Sequence, residues 1–302
     1  MKKIDLVEKK FDPELEGEWF GRWENDKIFM NTYIKEKFGD ELHFLPYVNM
    51  YLGVFGDKKP TPMVLLSDFA IEDLFDKTEP EFGKYIDGFR DTRKRFTFFR
   101  VSVTFEDESS HAASALYDKV SNEVEIFDSI EESFIPYKKG LKEFFQEIYG
   151  KQVKIVYLTK CSLFGKFSLE KCFDEDYVYN SGGFCVIWVL WYLELRLKNR
   201  DLNRKLTIDL AIKKLKKSTT RICKLLRGYA QFVESEINKY DLIEKKGELI
   251  IKPKTKSRFT KKDLFNIFTV FVGVLGYIAG RLAFEKYRKN LILSRVNGKT
   301  SR

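Results

Sequence analysis

Gly182-Gly-Phe-Cys185-Val-Ile-Trp-Val-Leu-Trp-Tyr-Leu-Glu-Leu-Arg-Leu197 is the stretch around which the chain can be read. From 184 to 197 it is apolar nearly all round, and a helix of that kind in a globular domain is a buried one. Charged and polar residues from Arg196 to Arg200 close it. Ser181-Gly-Gly183 is a flexible break ahead of it, which puts Cys185 close to the helix N-terminus. Unpaired N–H groups and the positive end of the macrodipole lower a thiol pKa there. The glycines just before it allow close approach of backbone to a ligand and can aim N–H groups at a bound carbonyl.

Working upstream, residues 96–105 are rich in aromatic and β-branched side chains and predict a strand. Two more follow at 112–117 and 123–127, joined by Asp118-Lys-Val-Ser-Asn122 as a hairpin turn. Residues 137–149 have helical apolar spacing, 153–158 predict a short strand, and 161–180 predict loop with some helix. Downstream, 207–217 and 219–240 predict amphipathic helices, and 242–251 a short hairpin about Lys246-Gly247. Strands, helix, strand, buried helix and outer helices make an α+β layer arrangement, with a small central sheet packed by helices. Residues 1–92 predict a mostly helical accessory region, with Trp19, Phe20, Trp23, Ile28 and Phe29 as a packing stripe and 53–62 as loop. The expected organisation is 1–92 accessory, 93–251 core domain, and 252–302 a basic linker with a hydrophobic helix.

A cysteine nucleophile needs a base, and the chain has only two histidines, His43 and His111. His111 lies at the start of one predicted strand, and Asp128 ends the next. If the strands pair as a hairpin, the two fall side by side, as a His–carboxylate pair requires. Each residue also has an ordinary reading: a buried thiol as a small hydrophobe, a strand-end His as structural, and an Asp after a strand as a turn former.

Composition narrows the classes. The 302 residues are 44% hydrophobic and 16% aromatic, enough for a sizeable core. Of the 54 basic residues, 13 lie in 252–302 with only 2 of the 45 acidic ones; the remaining 41 and 43 nearly cancel. The body therefore lacks the basic face expected of a nucleic-acid binder, and the basicity belongs to the tail. The four cysteines (Cys161, Cys172, Cys185, Cys223) form no C-x-x-C pair, so neither a metal site nor a cofactor is expected. Cys161, Cys172 and Cys223 are expected to be free thiols in a reducing, cytosol-facing location, since the charged start of the chain does not read as a signal peptide.

Strand-His, strand-Asp and Gly-Gly-aromatic-Cys opening a buried Trp-rich helix resemble the SUMO-deconjugating and adenovirus-type cysteine proteases. The nearer likeness is to members encoded by large DNA viruses, of the mimivirus and African swine fever virus type. The segments that carry it are His111-Ala-Ala-Ser-Ala-Leu-Tyr-Asp118, Val124-Glu-Ile-Phe-Asp128 and 182–197. The resemblance covers about 96–215 and implies a papain-like or adenovirus-protease-like core. It implies Cys185 as nucleophile, His111 as general base and Asp128 as orienter. It also implies a protein substrate, either a viral precursor or a ubiquitin-like conjugate. The family places a Gln before the Cys to help hold the oxyanion; no Gln occurs here between Gln152 and Gln231. Asn180 is the expected replacement amide, with backbone N–H groups near Gly183. That departure leaves a catalytically degenerate scaffold as an alternative. A same-fold acyltransferase is a further one, against which Asp128 argues, because those carry Glu.

In the tail, 252–262 hold six basic residues, and 264–280 have Asn266 as the one strongly polar side chain. Extended to 284, this run is long enough to span a bilayer core as a helix. Gly276 and Gly280 form a G-x-x-x-G. The expectation is a membrane anchor over 264–284, with the body facing the cytosol, virion association being a further possibility.

Overall fold

In the computed structural model the described residues are 3–12, 23–45, 48–55, 61–68, 88–90, 93–104, 110–128, 134–158, 185–215, 219–245 and 248–254. The chain divides into two compact units, Met1–Pro253 and Lys254–Arg302. The first is built on a seven-stranded mixed sheet. Its strands are β1 (Leu42–Phe44), β2 (Val48–Phe55), β3 (Thr61–Asp68), β4 (Phe96–Thr104), β5 (Ser110–Asp118), β6 (Glu123–Phe127) and β7 (Lys154–Tyr157). The order is β3-β2-β4-β5-β6-β7, with β1 also on β4. β4, β5 and β6 form an antiparallel meander, while β7 is parallel to β6 and β2 is parallel to β4.

This corrects the expectation for the first 92 residues. Instead of a mostly helical region, they supply β1, β2 and β3 to the central sheet. Gly53 lies within β2 rather than in a loop. β1 and β2 dock on one edge of β4, at Phe96–Phe98 and Val101–Val103, and β3 on β2, non-local pairings that short-range periodicity does not report. The described residues there are also helical over α1 (Trp23–Phe29), a π-turn (Met30–Ile34), α2 (Lys35–Phe38) and the short stretch 88–90. Ile28 and Phe29 of the expected packing stripe are buried; Trp19 and Phe20 lie outside the described residues.

The sheet separates two apolar layers, and alternation along the strands assigns side chains to each. Phe99, Val101, Val103, Ala113, Ala115, Val124 and Ile126 face α3 (Lys138–Tyr149), which presents Leu141, Phe144, Phe145 and Ile148. Phe96, Phe98, Ala112, Leu116 and Phe127 join the opposite layer. There the central element is α4 (Cys185–Lys198), buried from Val186 to Leu197. It is flanked by α5 (Arg204–Leu215) and α6 (Thr219–Ile237). After them β8 (Tyr240–Lys245) and β9 (Glu248–Pro253) pair as a separate hairpin.

α4 is anchored by buried polar groups as well as by apolar area. Arg196 makes a two-pronged contact with Glu125 of β6, both bonds 2.9 Å, and Tyr192 donates to the same carboxylate at 2.5 Å. Arg196 and Glu125 are wholly buried, so each charge depends on buried partners: Arg196 also lies 3.8 Å from Asp118. The Phe127 and Tyr192 rings stack 4.3 Å apart. At the C-terminal end, the Leu195 carbonyl accepts from both the Asn199 backbone N–H, at 3.2 Å, and its side-chain Nδ2, at 2.8 Å.

Candidate active site

β5 carries His111 as its second residue, and Asp128 directly follows β6. The antiparallel register sets Ser114 opposite Phe127. One step further along, position 128 falls diagonal to 111, within reach of two long side chains. His111 Nε2 lies 2.6 Å from Asp128 Oδ1, and both side chains are buried.

Cys185 opens α4 and is the only free thiol among the described residues. Its side chain hydrogen-bonds His111, and the backbone N–H groups of Ala112 and Val186 also point at its sulfur. Nε2 of His111 is engaged by Asp128, so Nδ1 is the nitrogen left to face the thiol. The structure thus brings together the three residues singled out in the sequence. Asn180 and Gly183, the expected oxyanion donors, lie outside the described residues.

His43 sits at the far end of the sheet. On β4 it pairs with Thr97 and His111 with Val103. Six residues of strand separate these positions, on the order of 20 Å. His43 instead uses Nε2 to contact the Gly88 carbonyl, at 2.8 Å.

The electrostatics follow from burial opposed by contact. Burial alone would push His111 down, but its hydrogen bonds to Asp128 and Cys185 and their charges outweigh it and raise the imidazole to about 9. For Cys185, burial pushes the thiol up. His111 and the N–H groups of Ala112 and Val186 more than reverse this, so the thiol is lowered. The net arrangement favours thiolate beside imidazolium. Ala112 is the contributor that the sequence did not reveal. It acts through backbone alone, so no side-chain chemistry marks it.

Among the described residues no group of His, Cys, Asp or Glu is placed to hold a metal. Cys223 is disulfide-bonded, which corrects the expectation of a free thiol. Sequence spacing could not show it, because a disulfide depends on Cα atoms approaching to about 4.4–6.8 Å in the fold.

No family model matches the chain. No curated protein matches it. Among solved structures it is similar to the Chlamydia trachomatis effector protein ChlaDUB1. One such structure is 13% identical over 75% of this chain and 96% of the other, with a TM-score of 0.43. A second is 15% identical over 49% of this chain, with a TM-score of 0.33. There the chain spans only 58% of the other's length. It is also similar to effector protein Cdu1 of the same organism bound to ubiquitin. That match is 14% identical over 74% and 95% of the two chains, with a TM-score of 0.39.

Proposed function

We propose that the chain is a cysteine peptidase in which Cys185 is the nucleophile, His111 the general acid–base and Asp128 the orienter. The observation that carries this is the continuous contact from Cys185 through His111 to Asp128, with the thiol lowered and the imidazole raised. A degenerate scaffold has no need of that polarisation.

The chemistry balances with these groups. The Cys185 thiolate attacks a carbonyl carbon, and the carbonyl becomes an oxyanion. As it collapses, the C–N bond breaks and the His111 proton passes to the departing amine, leaving a thioester. Water then attacks the thioester while His111 takes its proton. The thiolate departs with the acid released, and the imidazolium is restored. Asp128 holds the ring orientation and stabilises its charged form throughout. Backbone N–H groups at the start of α4 suit the oxyanion.

The substrate is a protein amide or isopeptide bond, with ubiquitin-like conjugates as the class to test first and viral precursors second. Support comes from the three resembling motifs; ubiquitin is also bound to Cdu1 in one of the similar structures. Membrane attachment through 264–284 is part of the proposal. That segment lies outside the described residues, and among the described residues no helix is long and apolar enough to cross a membrane.

The test is labelling with ubiquitin, SUMO and short peptides, each carrying a thiol-reactive group at its C-terminus. Adduct formation at Cys185 with one of these, abolished in Cys185→Ala and His111→Ala, is expected. A folded protein whose Cys185 reacts with none of them, and which cleaves no conjugate, would overturn the reading.

A further inference from the structure

Residues 3–12 run as an irregular strap against α4, α5 and α6, and they are held as a peptide ligand would be. Two carboxamides each grip one strap residue by both backbone groups. Asn199 accepts from Asp5 N at 2.9 Å and donates to Asp5 O at 2.8 Å. Gln231 does the same with Asp12, at 2.9 and 2.7 Å. Leu6 and Val7, between these clamps, are buried, as is Ile4 just before the first. The Trp191 indole donates to Leu6 O at 3.1 Å. Gly228 of α6 lets the strap pass so closely that a Cβ there would stand 2.6 Å from the Lys9 carbonyl oxygen.

One of these grips, Trp191, belongs to the helix that opens with Cys185, and another, Asn199, directly follows its last residue. A second contact on the helix is Glu194, which Lys9 approaches to 3.5 Å. Strap contacts therefore run along α4 from its middle to just past its end, while its first residue supplies the thiol. A helix moves as a rod, so whatever fixes its axial position fixes the Cys185–His111 contact.

We propose that the strap is a built-in control on Cys185: docked, it seats α4 so that the thiol meets His111, and released, it lets that contact slacken. It acts by position and touches no reacting atom. The proposal rests on Cys185 being the reactive thiol, but its test uses alkylation, which requires neither substrate nor turnover. A failure of the peptidase reading therefore leaves the test intact.

The experiment uses the full chain with Gly228→Ala. Helix propensity alone favours Ala over Gly in the interior of α6, so without strap control the variant should be neutral or stabilised. With strap control, the Asp5 and Asp12 amides lose hydrogen-exchange protection. The iodoacetamide rate at Cys185 then falls about tenfold to a hundredfold, the range for a small misplacement. Its pH profile also moves upward, because the thiol has lost the imidazolium. A merely structural strap would not move that profile. The pair Asn199→Ala and Gln231→Ala, which removes both clamps without adding bulk, should do the same. Freed strap amides with an unchanged rate and profile overturn the proposal, and so does continued protection of those amides in both sets of variants.

Discussion

Asp128 Oδ1 and His111 Nε2 are 2.6 Å apart at the ends of two neighbouring antiparallel strands, with both side chains buried. That is at or below the short end of the range for a charge-assisted N–H···O bond. The carboxylate can hold the ring so that its other nitrogen faces Cys185. Asp128→Asn preserves shape and removes charge, and it presents an amide where an acceptor is needed. We expect turnover to fall by roughly a hundredfold to ten-thousandfold, with the thermal midpoint little changed. Steady-state kinetics beside a melting curve distinguishes this from misfolding.

The pH dependence follows from the two shifts. His111 is raised to about 9, so it is protonated in the folded state below that value. Stability from its contacts is complete below the unfolded imidazole value and is lost as pH rises through about 9. Cys185 is lowered, so its contribution is present above the ordinary thiol value and is lost as pH falls through the folded one. Between the lowered thiol value and about 9 the ion pair is intact. Alkylation of Cys185 should therefore persist below the usual thiol range, and cleavage should decline again above about pH 9. In His111→Ala the alkylation curve should move up toward an ordinary thiol; an unshifted curve would contradict the assigned contact.

Arg196 and Glu125 form a buried two-pronged pair at 2.9 Å that ties α4 to β6. Arg196→Met leaves the carboxylate unpaired and should cost about 3–5 kcal/mol in urea unfolding. Replacing both, as Arg196→Met with Glu125→Leu, should recover much of that loss. A double variant as unstable as the single would mean that the Tyr192 hydroxyl, 2.5 Å from Glu125, needs the carboxylate more than Arg196 does.

Cys223 is disulfide-bonded while Cys185 is free. Alkylation of the unfolded, unreduced protein should leave Cys223 unmodified, and prior reduction should expose it. Peptide mapping by mass spectrometry reads both states. Modification of Cys223 without reduction would show that the bond is absent in solution.

The chain divides after Pro253. A protein ending there should keep the melting transition and Cys185 reactivity of the full chain, because the sheet, both apolar layers and the candidate site lie in the first unit. If 264–284 anchor the chain, the truncated form should also stop co-floating with lipid vesicles. Aggregation of the truncated form would instead make the tail part of the core.

The sequence by itself determined the local elements around the candidate site. The meander strands, α3 and α4 follow from short-range periodicity, which neighbouring residues express without tertiary help. It also determined which residues could do the chemistry, because one Cys behind Gly-Gly and two histidines leave few combinations. Tertiary structure decided the rest. It chose between His43 and His111 by placing them six strand residues apart along β4, a separation set by non-local pairing. It recruited β1 and β2 to an edge of β4, and β3 to β2, because those edges needed backbone partners that composition does not announce. It put the Ala112 N–H against the Cys185 sulfur, an effect of backbone geometry that has no sequence signature. It also paired Cys223, since a disulfide depends on which cysteines meet in space rather than on their spacing along the chain.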